Sequence, residues 1–220
     1  MEIYDTDEEQ VAALKRWWKE NGTATLTGVV IGVMLIAGWK FWQNYTKDKA
    51  NQASVLYGQL LDDVGKGKDD ATQKISARIS EDFDSTVYAA YSDFLLAKTK
   101  VKQGDLDAAQ VLFKKLMSEA DSPELRNLAR IRLIRVLYST GENEKGLQLI
   151  AEADQSSAQG FISSYDELKG DLYVALDRLG EARTAYQSAL RSGSGSRLLQ
   201  FKLDDISVSE VLESNTKAEG

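Results

Sequence analysis

The side chains that could do acid–base chemistry in this chain are carboxylates and little else. There is no His and no Cys. The usual general base, the commonest metal ligand, the thiolate nucleophile and every zinc–thiolate site are therefore missing. Carboxylates such as Asp93, Asp105 and Asp171 remain, but nothing in their spacing places two of them in a common pocket. No catalytic, cofactor-binding or metal-ligating residue is assigned, and no enzyme is expected. What remains is recognition. Tyr91, Phe94, Lys98 and Val101, then Ile131, Arg135 and Tyr138, combine aromatic and aliphatic side chains with two cations at helical spacing. Such a face could hold an extended or helical polypeptide segment, although any one of these residues would also suit a core or a solvated surface. Gly28 and Gly32 form a second recognition element. Two glycines four apart lie on one helix face and let another helix approach closely, though glycine is also common in membrane helices generally.

These residues need elements to carry them. The 220 residues include 34 acids and 27 bases, a net charge of -7, which argues against general nucleic-acid binding. The mean hydropathy of -0.35 suits a soluble protein, but it conceals one apolar run. Thr23 to Trp39 is 17 residues without a charge, and adding Lys40 to Trp42 gives 20. At about 1.5 Å per residue, 20 residues span a hydrocarbon core of about 30 Å. Trp17 and Trp18 precede the run and Trp39 and Trp42 close it, as indoles do at membrane interfaces. Bulky aromatics stand where a signal peptidase needs small residues, so the segment reads as an uncleaved signal anchor. Lys15, Arg16 and Lys19 on one flank balance Lys40, Lys47 and Lys49 on the other, so charge leaves the orientation open.

Five regions follow: a short N-terminal segment (1–22), a transmembrane anchor (23–42), a juxtamembrane linker (43–52), a helical domain (53–206) and a tail (207–220). The N-terminal segment is predicted to be an amphipathic helix, with Thr6 and Glu9 at capping-box spacing and a stop at Asn21-Gly22. Leu198, Leu199, Phe201, Leu203 and Ile206 are expected to cover the end of the domain as a capping helix.

The domain is all-α and repetitive. Gly67, Gly104 and Gly141 are 37 residues apart, and Asp177 follows 36 later. After each turn the registers align: Ala109, Gly146 and Ala182; Phe113, Ile150 and Tyr186; Leu116, Ala153 and Ala189. Alternation of small and large residues at this spacing lets one helix pack on its partner and on the next pair. The pattern resembles the tetratricopeptide repeat, a helix–turn–helix of about 34 residues. Thr72 and Ser76 depart from it in the first pair. In that register Tyr91, Phe94, Lys98, Val101, Ile131, Arg135 and Tyr138 line a groove on the first helices. Lys98 and Arg135 lack the Asn partners of tetratricopeptide domains that clamp a terminal carboxylate.

The opening MEIY, Glu8-Glu9-Gln10, Lys15-Arg16-Trp17-Trp18 and Glu20-Asn21-Gly22, followed by one span and these helices, resemble the YfgM-type ancillary subunits of the bacterial Sec translocon. That resemblance implies an inner-membrane protein with a cytoplasmic N-terminus and a periplasmic domain. It implies as partners the translocon, a membrane-anchored periplasmic prolyl-isomerase-like chaperone and exported client proteins. The expected role is a non-catalytic adaptor passing exported proteins to periplasmic chaperones. The alternative is a tethered scaffold that acts on a cytoplasmic stress-response regulator through its acidic N-terminal segment.

Overall fold

A computed structural model describes residues 7–154, 156–193 and 196–206; Thr6 of the predicted capping box and the tail from 207 lie outside the described residues. All regular structure among the described residues is helical. The helices are α1 (Asp7–Gly65), α2 (Asp69–Asp82), α3 (Val87–Gln103), α4 (Leu106–Glu119), α5 (Pro123–Ser139), α6 (Asn143–Ala151), α7 (Ile162–Ala175) and α8 (Leu179–Arg191). Residues 197–206 form α9, and a 3-10 turn (Gln159–Phe161) precedes α7. The chain packs as two units, Met1–Gln52 and Ala53–Gly220.

In the first unit, α1 passes through both the stop expected at Asn21-Gly22 and the segment 43–52 expected as a linker. The reason is local. The Trp18 indole covers Gly22, where an added β-carbon would sit 3.3 Å from Cε2. The Thr25 hydroxyl donates to the Asn21 carbonyl at 2.9 Å, and Thr27 does the same to Thr23 at 2.8 Å. These hydroxyls bond back one turn, as Thr side chains do inside a continuous helix. The helix contains a window with mean hydropathy 1.7, long and apolar enough to cross a membrane by length and composition. Leu35, Trp39, Phe41 and Trp42 are all exposed there.

The second unit is a run of helix pairs, and its four turns are alike. Gly67, Gly104, Gly141 and Asp177 all take positive φ, at 69°, 79°, 80° and 59°. In each, the next residue's N–H reaches five residues back: Lys68 to Asp63, Asp105 to Lys100, Glu142 to Leu137 and Arg178 to Tyr173, at 2.8–3.0 Å. This is the left-handed cap that closes a helix and satisfies its last carbonyls. Asp177 occupies it as the one non-glycine among the described residues with positive φ, and Asp tolerates that region better than most residues.

Eight of the nine expected register residues are inside. Ala109, Phe113 and Leu116 are buried, as are Gly146 and Ile150, and Ala182, Tyr186 and Ala189, while Ala153 is half-buried. The departures Thr72 and Ser76 occupy the same buried register, and Ser92 donates to Ser76 at 2.9 Å. The core is a series of clusters, each shared by neighbouring helices. One joins α3, α4 and α5, the next joins α5, α6 and α7, and the last joins α8 and α9. Each pair thus contacts mainly its neighbours, as in a repeat stack.

Capping helix α9 corrects one expectation. Leu199 and Ile206 are buried and Leu203 is half-buried, but Leu198 and Phe201 are exposed at 60% and 67%. Residues 199, 203 and 206 share a face at helical spacing and 198 and 201 do not. Lys202 turns inward instead, to Asp171 and Glu167.

Candidate partner-binding groove

The groove is built by α3 and α5, the first helices of two successive pairs, with Tyr57 from the C-terminal part of α1 at one edge. Helix α3 supplies Tyr91, Phe94, Lys98 and Val101. Helix α5 supplies Leu125, Leu128, Arg132, Arg135 and Ser139. Both sets advance by three or four residues, so each is one face of its helix. The cavity between them is about 690 Å³, within the range of small-ligand pockets, ~300–1,000 Å³.

Aromatic rings shape it. Tyr57 stands 5.7 Å from Tyr88 and 6.1 Å from Tyr91, centroid to centroid. Tyr88 and Tyr91 meet edge to face at 6.3 Å, and Phe94 packs on buried Phe113 at the same distance. Burial, then the neighbouring Tyr91, pushes the Tyr57 hydroxyl above its ordinary pKa. The Tyr57 ring is therefore neutral, hydrogen-bonding and largely apolar at physiological pH. Lys98, Arg132 and Arg135 are exposed among these rings, and no acid among the described residues lines the cavity.

The structure brings five of the seven residues read from sequence into this groove: Tyr91, Phe94, Lys98, Val101 and Arg135. Ile131 is elsewhere. It is buried in the core with Ile134, Ile150 and Leu168. Tyr138 does not line the cavity either; it is exposed, close enough to Tyr186 to bear on that hydroxyl's ionisation. The physical reason is a rotation. The groove face of α5 runs through 128, 132, 135 and 139, whereas 131 and 138 lie on the stripe beside it. Arg132 was thereby missed. The apolar Leu125 and Leu128, seven and four residues before it on the same face, were the available signal.

The carboxylates considered for catalysis each have a structural partner. Asp93 accepts from Ser80 at 2.9 Å and pairs with Lys115 at 2.9 Å. Asp105 caps α4, accepting from the Ala108 N–H, and pairs with Lys100. Asp171 accepts from Tyr186 at 2.8 Å and from Lys202 at 2.7 Å. Among the described residues no group of three or more acids is arranged to hold a metal ion. In α1, Gly28 and Gly32 have open space where a side chain would stand.

A profile of the tetratricopeptide repeat-like domain matches residues 15–208. The chain belongs to this family. The tetratricopeptide-like chain is also similar, along nearly its whole length, to proteins named ancillary SecYEG translocon subunit. The Escherichia coli K12 protein is 27% identical over 94% of this chain and 100% of its own length. The Haemophilus influenzae protein is 27% identical over 92% and 99%, and the Neisseria gonorrhoeae protein 24% over 91% and 97%. The resemblance to Sec ancillary subunits, drawn from the N-terminal residues, is thus borne out by these relatives. No solved structure gives a significant match.

Proposed function

We propose that this tetratricopeptide-like protein is a single-pass inner-membrane adaptor, without chemistry of its own, that associates with the Sec translocon. It helps pass exported proteins to periplasmic chaperones. The observation that carries the reading is similarity over more than nine-tenths of the chain to relatives named as translocon subunits. The apolar stretch of α1 would be the anchor. Its N-terminus would be cytoplasmic and the repeat unit periplasmic, next to a membrane-anchored prolyl-isomerase-like chaperone. Gly28 and Gly32 would let a partner's membrane helix approach, because lipid supplies no hydrophobic drive and close packing must replace it. The groove of Tyr91, Phe94, Lys98 and Arg135 would hold the soluble partner or client.

Photo-crosslinking in inner membranes tests this. Probes at positions 29 and 33 should capture translocon or chaperone helices, and probes at Phe94 and Leu128 should capture exported proteins. A periplasm-dependent reporter fused after residue 220 should be active. The reading fails if neither class of crosslink forms, or if only a cytoplasm-dependent reporter is active.

A further inference from the structure

We propose that the groove between α3 and α5 selects an acidic segment of a partner polypeptide, one that alternates carboxylates with large apolar side chains and is bound through internal residues. This rests on the adaptor reading for the statement that the occupant is a polypeptide, and on the groove itself for its chemistry.

The charge distribution carries the argument. From Lys47 onward the chain has 28 acids and 23 bases, so carboxylates outnumber cations and several cations find one. Lys66, Lys100, Lys115, Arg178 and Lys202 each do. Lys98, Arg132 and Arg135 form no ion pair among the described residues, are all exposed, and converge on one cavity that no acid lines. Three exposed cations around one cavity give it a positive potential, and a ligand of opposite charge complements that potential. Between them lies an apolar floor: Phe94, Phe113, Leu125 and Leu128. A purely acidic segment would leave the floor wet, and a purely apolar one would leave the cations unmatched. A segment carrying both satisfies the groove, with bulky side chains on the rings and carboxylates at the guanidinium and ammonium groups. Tyr57 and Tyr91 at the edge add hydroxyl donors for the backbone of such a segment.

The test uses the full chain in lipid nanodiscs. The probe is a fluorescent ten-residue peptide alternating Asp or Glu with Phe or Leu, amidated at its C-terminus so that no terminal carboxylate can bind. Anisotropy should show binding that weakens as salt rises from about 50 to about 500 mM. The Asn/Gln version of the peptide, and the Arg132→Gln/Arg135→Gln protein, should each bind about tenfold more weakly. Lys98→Gln should weaken it less, and Lys114→Gln, outside this cavity, not at all. Equal binding of the neutral peptide, or unchanged binding by the double variant, overturns the proposal. So does a Leu128 crosslink that lands on a second copy, or on residues 207–220 of the same chain, and is unaffected by peptide. The two readings separate cleanly. Exported proteins crosslinked at Phe94 without acidic-peptide binding would sink this proposal and leave the adaptor intact. Acidic-peptide binding with no translocon or export crosslinks would do the reverse.

Discussion

Gly170 lies against the ring of Tyr186: a β-carbon at 170 would fall 2.1 Å from Cε1 and 2.3 Å from Cδ1. Helices α7 and α8 pack closely because residue 170 has no side chain. Tyr186 cannot swing away, since it is 2% exposed and its hydroxyl is bonded to Asp171. Gly170→Ala gains up to ~1 kcal/mol of helix propensity but overpacks this contact at ~1–3 kcal/mol. A net loss is expected, read as a lower urea midpoint with unchanged m-value. Gly146→Ala is the control. Its β-carbon would crowd the methyl ends of Leu172, at 2.9 and 3.0 Å, and touch Ile134 Cγ2 at an ordinary 3.6 Å. A small side-chain shift relieves that, so the net change should be within about 1 kcal/mol of zero.

Thr72 offers a stabilising change. It is fully buried in the register where the later pairs carry Ala109, Gly146 and Ala182. Its hydroxyl has no hydrogen-bond partner among the described residues. Leaving a buried hydroxyl unpaired costs ~1–3 kcal/mol, and Val has the same shape without the group. Thr72→Val should therefore raise the urea midpoint, corresponding to about 1 kcal/mol. A lower midpoint would show that the hydroxyl is satisfied.

Where the chain's constraints are local, they are visible in sequence. A left-handed cap needs a residue that tolerates positive φ, so Gly67, Gly104 and Gly141 mark the turns, and spacing alone finds Asp177. Where two local signals conflict, the reading fails. Asn21-Gly22 is a stop signal only when nothing covers it, and Trp18 does. Groove residues depend on helix rotation. Ile131 and Arg132 are adjacent in sequence, yet one is core and the other groove. Tyr57 was not legible at all, because its place beside Tyr91 depends on how α1 and α3 pack. Lys202 reads as one of four charges on the capping helix, with Arg197, Asp204 and Asp205, and only the carboxylates of α7 show why it turns inward.

Gly28 and Gly32 have no neighbour among the described residues to clash with. Gly28→Leu/Gly32→Leu should therefore leave membrane insertion and the folding of the repeat unit unchanged. If the pair is a packing face, the same variant should lose co-purification of membrane partners in mild detergent, because bulky side chains block close backbone approach. Full recovery of the complexes would show that these glycines serve no interface.

Alkaline sensitivity should be concentrated where α9 docks on α7. Burial pushes the Tyr186 hydroxyl well above its ordinary pKa, and the Asp171 carboxylate beside it adds to the shift. For Lys202, burial opposes the charge, but hydrogen bonds to Asp171 and Glu167 outweigh it and the ammonium is raised. Both groups hold their proton more tightly folded than unfolded. Their contribution to stability is therefore complete below the ordinary values, about 10 for Tyr and 10.4 for Lys, and is lost as pH rises through the raised ones. The thermal midpoint should hold from neutral pH to about 9.5 and then fall. In Tyr186→Phe/Lys202→Met the neutral-pH midpoint should be lower, because the two carboxylates lose their donors. Its decline above pH ~10 should be shallower, though not absent, since burial also raises Tyr57 and Tyr165. A variant that declines as steeply as the parent would place the alkaline-sensitive groups elsewhere.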